Sequence, residues 1–487
     1  MNKPIRTMAI FCMLMFLALM MNATYLQYIA AGDLKDDPRN RRVIEAAFSR
    51  ERGAILVGRE PVAESVPSDD RYEFQRTYAL PLRYAHVTGY FSYFSQTGIE
   101  QSQNSVLSGD DSRLFVTRLV DLLGNSEPQG GNVQLTLSRA AQDAAFEGLQ
   151  GLGEGTKAAV VALEPNTGKI LAMASSPTFD PNRLASHNLG DVSSSYEELD
   201  ADDNQPLLNR TIQTTLPPGS TFKLVTAAAA LESGSYDDAE SMVPGGSSFD
   251  LPQSTVSVPN HDGGNCGGNR ITMTRAMQVS CNVTFLSLAD ELGAETMREQ
   301  AEAFGFNSSY LDDLPLQAQS RYPDDLDAPQ TALSGIGQSS VTASPLQMAM
   351  VAAGIANGGA VMKPYLVDEV RTPDLDVLDK TEPRELSRAV SPGTASELTK
   401  MLVATVASGT GAPAQIPGVE VAGKTGTAQS TPDRPPYAWF VSFAPANNPQ
   451  VAVAVLVESA AVERNEIAGG RLGGPIAKSI MEAVISR

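Results

Sequence analysis

Leu216-Pro217-Pro218-Gly219-Ser220-Thr221-Phe222-Lys223 runs directly into Leu224-Val225-Thr226-Ala227-Ala228-Ala229-Ala230-Leu231. The alanine-rich half is a strong helix former, and the Pro-Pro-Gly ahead of it makes a poor helix interior. The sequence therefore predicts a helix with Ser220 at or near its N-terminus, and Lys223 three residues on along the same face. A serine hydroxyl is a weak nucleophile until a base takes its proton, and a lysine is such a base only when its pKa is lowered. Burial and the positive end of the helix dipole both disfavour an ammonium, so this position suits a neutral amine. The spacing alone is weak evidence, because Ser-x-x-Lys arises by chance and its bland reading is a serine cap beside a solvated lysine.

Two later tripeptides decide between these readings. Ser280-Cys281-Asn282 follows Ser220 by 60 residues, and Lys424-Thr425-Gly426 follows Ser280 by 144. Three such motifs in this order form the signature of penicillin-binding proteins and β-lactamases. Along essentially its whole length the chain resembles the monofunctional class B penicillin-binding proteins, of the actinobacterial A type. Cys281 departs from the commoner aspartate at the middle of the second motif, a position that varies within the family.

The resemblance implies an α+β fold: a serine β-lactamase/transpeptidase-like domain with an antiparallel sheet, helices on both faces and a helical subdomain. A transmembrane helix and a smaller, mainly β pedestal domain are expected to precede it. The implied division is 1–32 for the cytoplasmic tail and membrane anchor, 33–152 for the pedestal and 153–487 for the transpeptidase. The implied activity is peptidoglycan D,D-transpeptidation, with Ser220 attacking the bond between the last two D-alanines of a stem peptide. Lys223 would take the serine proton and Ser280 would pass a proton to the departing D-alanine. Asn282 would position the substrate backbone, while Lys424 and Thr425 would meet its terminal carboxylate. Gly426 would let the substrate approach as an added strand. The backbone N–H groups of Ser220 and Thr427 would form the oxyanion hole. β-Lactams would acylate the same serine, and a membrane-embedded glycan polymerase is the partner this family implies.

Composition agrees with that outline. A chain of 487 residues with 42% hydrophobic content can hold two domains and an anchor. A formal charge of −20 argues against a nucleic-acid partner. His86, His187 and His261 lack metal-ligand spacing and there is no Cys-x-x-Cys, so neither a metal nor a cofactor is expected. His261 reads as a loop histidine within Asn260-His261-Asp262. Cys266 and Cys281 stand 15 apart and could pair in an oxidising exterior, which the sequence leaves open.

At the N-terminus, Lys3 and Arg6 precede an uncharged run that is strictly apolar from Met8 to Met21 and semi-polar to Ala31. That length suits a membrane-spanning helix, whose basic end stays in the cytoplasm and leaves everything after Asp33 outside. The rival reading is a signal peptide cleaved near Ala30 and Ala31; the semi-polar extension through Tyr25 and Tyr28 favours the anchor.

In the pedestal, Asn40-Arg41-Arg42, Arg52-Gly53-Ala54-Ile55-Leu56 and Gly98-Ile99-Glu100 are read as packing segments, and Tyr84 to Phe94 as strand and turn. Asn132 to Leu137 alternates as a strand does, and Ser138 opens a helix. Residues 158–163 and 169–174 form a hairpin around Glu164-Pro165-Asn166-Thr167-Gly168. The polar stretch from Asp180 to Asn209 is expected to cover the site. Gly335-Ile336-Gly337-Gln338 and Pro345-Leu346-Gln347-Met348 are read as core helix. Residues 419–423 should deliver the Lys-Thr-Gly motif on a strand edge, 438–443 and 451–457 should form a hairpin, and a last helix should span about 475–485.

Two other activities share these motifs. A β-lactamase needs neither pedestal nor anchor, but does need a group to activate deacylating water, and the sequence presents none that can be identified. A D,D-carboxypeptidase differs mainly in using water as the acceptor. A silent scaffold would not keep Ser220, Lys223, Ser280 and Lys424 together, and a β-lactam sensor would carry a cytoplasmic output domain. A bifunctional enzyme would need a glycosyltransferase domain, for which 33–152 is too short.

Overall fold

The computed structural model describes residues 3–30, 45, 47–115, 124, 129–261, 263–314, 316–428 and 434–486. Asn40-Arg41-Arg42 and Asp33 lie outside them. Along the chain come α1 (Lys3–Thr24), β1 (Ile55–Val57), β2 (Glu60–Pro67), β3 (Phe74–Tyr78), α2 (Pro81–Thr88), β4 (Asn132–Leu135), α3 (Arg139–Gln150), β5 (Lys157–Leu163), β6 (Ile170–Ser176) and α4 (Leu189–Asp200). The second half holds α5 (Lys223–Glu232), α6 (Met273–Gln278), α7 (Asn282–Ala303), α8 (Pro345–Ala356), β7 (Val367–Arg371), β8 (Val377–Lys380), α9 (Pro392–Ser408), β9 (Ala422–Ala428), β10 (Tyr437–Ala444), β11 (Val451–Ser459) and α10 (Gly469–Ile485). Helix α1 buries no residue and is long and apolar enough to cross a membrane.

The larger body is built on an antiparallel sheet of order β9-β10-β11-β5-β6. Its central strands are apolar at nearly every position, which requires cover on both faces. Alternation then assigns the faces. Val160, Val453 and Val455 meet Ala145 of α3 and Ile476 and Ile480 of α10. Val161, Ala454 and Leu456 join the core that holds α5, α7 and α8. Full burial of each valine or leucine contributes about 1.5–3 kcal/mol, so this double-faced packing dominates the body's stability. Helix α8 is buried almost throughout, starts at Pro345 and is capped by Ser344, whose hydroxyl accepts from the Gln347 amide. The fold class is the expected one: a mixed α+β body whose antiparallel sheet is covered on both faces.

The pedestal centres on a sheet of order β8-β7-β4-β1-β2-β3, parallel only between β1 and β4. Residues 367–380 supply β7 and β8, so this sheet draws on chain far beyond 152. Helix α3, by contrast, packs on the larger body's sheet although it precedes 152. At the pedestal's centre the expected packing segments meet. Glu100 accepts from Arg52 Nε and Arg76 Nε, each at 2.6 Å, and from the Tyr78 hydroxyl at 3.2 Å. Burial pushes the Glu100 carboxyl up, but the charges of Arg76 and Arg52 outweigh it and hold the group below its ordinary value.

Several expectations need correction. Tyr84 to Phe94 does not open as a strand: Pro81 sits at the first turn of α2, and Tyr84, Val87 and Thr88 share its buried face. Burial on one helical face overrides the β preference of aromatic residues. Residues 180–209 do not cover the site but pack on the pedestal. Asn182 exchanges hydrogen bonds with the backbone of Tyr78, and Leu184 and Leu199 join Ala85, Tyr90 and Phe179 in a small core. The last helix begins at Gly469 rather than about 475, and Pro475 lies inside it. The strand at 419–423 becomes β9, which starts at Ala422 and carries the motif itself.

Candidate active site

Ser220 lies in a tight turn, Gly219–Thr221, just ahead of α5, and lines a cavity of about 860 Å³. The turn is pinned from two sides. Trp439 Nε1 donates to Pro217 O at 2.9 Å, and Gly219 N donates to Gly337 O at 3.0 Å. Gly337 has φ +66°, and a side chain there would meet Gly219 O at 2.3 Å, so the close approach demands glycine. The Gly335–Gln338 segment is therefore a brace for the nucleophile turn and not core helix; Gln338 itself lines the cavity.

Lys223, the first residue of α5, is fully buried. Its Nζ stands 2.8 Å from Ser280 O, 3.1 Å from Ser280 Oγ and 2.9 Å from Asn282 Oδ1. Lys424, on the edge strand β9, is equally buried, and its Nζ donates to Ser280 Oγ and Thr425 O, both at 2.8 Å. Two lysines thus converge on one hydroxyl, and among the described residues neither has a carboxylate within ion-pair distance. Burial, then the neighbouring Lys424 charge, drives the Lys223 amine well below the ordinary lysine range. Burial alone lowers Lys424 to about 7.

Ser280 is held at φ +57°, a left-handed conformation that costs a non-glycine residue about 1–2 kcal/mol. Right after it, Cys281 is bonded to Cys266, which closes the pairing the sequence left open. The strained serine is thereby fixed on its C-terminal side by a covalent link to the loop above the cavity.

Lys223, Ser280, Asn282 and Lys424 form one hydrogen-bonded network, and Ser220, Ser280 and Asn282 line the same cavity, but some expected roles shift. Lys424 stands behind Ser280 and does not line the cavity, whereas Thr425 and Thr427 do. Asn282 turns its amide oxygen to Lys223 and its nitrogen to Pro259 O at 3.1 Å. The space a Gly426 side chain would fill is taken by Thr221 and by Pro218 O, at 2.9 and 3.0 Å. That glycine lets β9 pack against the nucleophile turn. His261 lies in a loop, as expected, exposed at the cavity rim.

Sequence reasoning missed Asn260, Thr410 and Arg471. The Thr410 hydroxyl lies 2.7 Å from that of Thr425, and Arg471 lines the cavity from α10. No local pattern marks either as a site residue. Among the described residues no group of His, Cys, Asp and Glu is arranged to hold a metal.

Comparison with known proteins agrees with this geometry. Residues 158–482 match the penicillin binding protein transpeptidase domain, and residues 52–133 match the penicillin binding protein A dimerisation domain. The chain is 42% identical to the peptidoglycan D,D-transpeptidase PbpA of Mycolicibacterium smegmatis, covering 100% of this chain and 99% of that protein. It is similar to the penicillin-binding protein A structure of M. tuberculosis in its ceftriaxone acyl-enzyme form, with 41% identity and a TM-score of 0.86. That match covers 91% of this chain and 100% of the other. A D,D-transpeptidase domain from Eggerthella lenta is 31% identical with a TM-score of 0.77, over 90% of this chain and 99% of the other.

Proposed function

From a chain that belongs to the class B penicillin-binding proteins of the PbpA type, we infer a peptidoglycan D,D-transpeptidase that works through an acyl-enzyme on Ser220. The observation that carries this reading is the desolvated Lys223 amine, set among Ser280 O, Ser280 Oγ and Asn282 Oδ1 with no acidic partner among the described residues. Ser220 Oγ attacks the carbonyl carbon between the last two D-alanines while Lys223 takes its proton. The backbone N–H groups of Ser220 and Thr427 meet the oxyanion, and losing one such donor typically costs about 10²–10³ in rate. As the intermediate collapses, the C–N bond breaks and Ser280 Oγ gives its proton to the departing D-alanine nitrogen. Lys223, 3.1 Å from that oxygen, returns the proton it took.

An amine from a neighbouring stem peptide then attacks the ester, forming the cross-link and freeing Ser220. Thr425 and Thr427 face the terminal carboxylate, and Lys424 lends positive potential from behind Ser280. A β-lactam ring opens on the same serine but keeps its leaving nitrogen tethered, so the adduct stalls. Without an activated water, hydrolysis forgoes general-base assistance worth about 10²–10⁴-fold.

The acyl-enzyme made from a stem-peptide analogue should persist in water and resolve when a peptidoglycan amine is added; following its decay with and without acceptor tests this. Rapid turnover of penicillin would move the activity to β-lactamase. Release of D-alanine with no cross-linked product in excess acceptor would move it to carboxypeptidase.

The same reading places the pedestal and transpeptidase domain outside the cytoplasm, with α1 as an uncleaved anchor whose basic first turns carry Lys3 and Arg6. There it shares the membrane with the glycan polymerase the family implies as partner. Protease added to intact protoplasts should digest the large domain. Full protection would reverse the orientation, and a mature N-terminus near Ala31 would turn the anchor into a signal peptide.

A further inference from the structure

Helix α7 begins with Cys281 at its cap position, a residue that supplies no capping side chain. The orphan N–H groups of its first turn need an acceptor, and one arrives from elsewhere in the chain. Asn260 Oδ1 accepts from Asn282 N at 2.9 Å and from Val283 N at 3.2 Å. Its Nδ2 donates to Gly246 O at 2.8 Å and to Gly264 O at 2.7 Å. The side chain is only 5% exposed, and both lone pairs and both N–H groups of its amide are used. Asn282 returns the tie through its own hydrogen bond to Pro259 O.

We propose that Asn260 is a positioning residue for acylation, holding the Ser280–Asn282 turn so that its oxygens stay in place around the Lys223 amine. A neutral amine has two N–H groups and one lone pair. If the N–H groups go to Ser280 O and Asn282 Oδ1, the lone pair is left facing Ser280 Oγ at 3.1 Å, and the same turn sets all three directions. Both acceptors sit on the turn that Asn260 caps. Ser280, in a left-handed conformation, does not hold that geometry unaided and persists only where its surroundings over-determine it. The Cys266–Cys281 bond also retains the turn, so removal of Asn260 shifts its orientation without releasing it from the fold.

This inference rests on the acyl-enzyme reading above, and the test separates the two. The full-length protein, its Asn260→Ala variant and its Asn260→Asp variant are acylated with a fluorescent penicillin over a range of concentration and pH. The limiting acylation rate constant is separated from the saturation constant, and thermal unfolding is followed alongside. Asn260→Ala should lower the limiting rate constant about a hundredfold, the scale of a 1 Å misplacement, with little change in the saturation constant. Its acid limb should also move to lower pH, because the displaced oxygens no longer stabilise the Lys223 ammonium. Asn260→Asp keeps the acceptor for Asn282 N and Val283 N but loses the donations to Gly246 O and Gly264 O, so it should recover part of the rate. Should Asn260→Ala not fold, Asn260→Ser, which keeps an oxygen at shorter reach, carries the same comparison. A parent labelled at Ser220 beside a variant that loses only thermal stability, or an aspartate that restores nothing, overturns this inference alone. A parent not labelled at Ser220 overturns both.

Discussion

Ser220→Ala protein treated with penicillin should carry no covalent adduct, while the parent carries one on the peptide containing Ser220. The substitution removes one half-buried oxygen and leaves every contact that shapes the turn: Trp439 Nε1 to Pro217 O, Gly219 N to Gly337 O, and Thr221 Oγ1 to Pro218 O. The variant should therefore unfold at the parent's temperature. No neighbouring group can take over. Ser280 Oγ is held by two lysine nitrogens, at 2.8 and 3.1 Å. Loss of the nucleophile in a serine hydrolase costs on the order of 10⁶ in turnover, so the effect is all or nothing on the scale of mass spectrometry. An adduct on the alanine variant, or on Ser280 in the parent, would remove Ser220 from its role.

How far the sequence revealed this arrangement depends on how local each signal is. The hairpin at 158–174 and the strands at 438–443 and 451–457 were legible because valine and alanine runs bounded by turn residues have few alternatives. The alternation of Val453 and Ala454 even fixes which face each helix must cover. The motif spacing identified the family, yet Ser220, Lys223, Ser280 and Lys424 come from three separate elements whose meeting no local pattern encodes.

What stayed hidden is long-range. Residues 367–380 complete the pedestal sheet only because β7 pairs with β4 across more than two hundred residues of chain, and their composition does not say so. Asn260 caps a helix that starts 22 residues later, so no capping motif at the helix start could announce it. Ser280 bears no mark of its left-handed backbone, because glycine, the usual signal, is absent there. The aromatic stretch after Tyr84 misled because aromatic residues favour strands on average, while Pro81 and a single buried face make this one helical.

The pH dependence of acylation follows from the two buried lysines. Lys223 acts only as the neutral amine, so the rate must rise with pH through the folded-state pKa of that group. Burial, and next to it the Lys424 charge, holds that pKa well below the ordinary lysine value of about 10.4. The rising limb should accordingly end far short of pH 10. Lys424, lowered to about 7 by burial, loses its charge as pH climbs past that value, and with it the positive potential behind Ser280 that an anionic substrate meets. The profile for penicillin acylation should therefore combine a rise set by Lys223 with a loss of favourable potential near pH 7 set by Lys424, both belonging to the lysine pair. Lys223→Ala should lose about 10²–10⁴ of the rate at the optimum and keep no rising limb. Lys424→Met removes a like charge from beside Lys223, which raises the Lys223 pKa and moves the rising limb to higher pH. Stopped-flow acylation across pH 4 to 10 on the three proteins reads all of this. A rate that keeps rising to pH 10 in the parent would mean that Lys223 titrates as a solvated lysine and is not the base. A rising limb that stays in place in Lys424→Met would mean that the two amines do not share the field which their common contact with Ser280 Oγ creates.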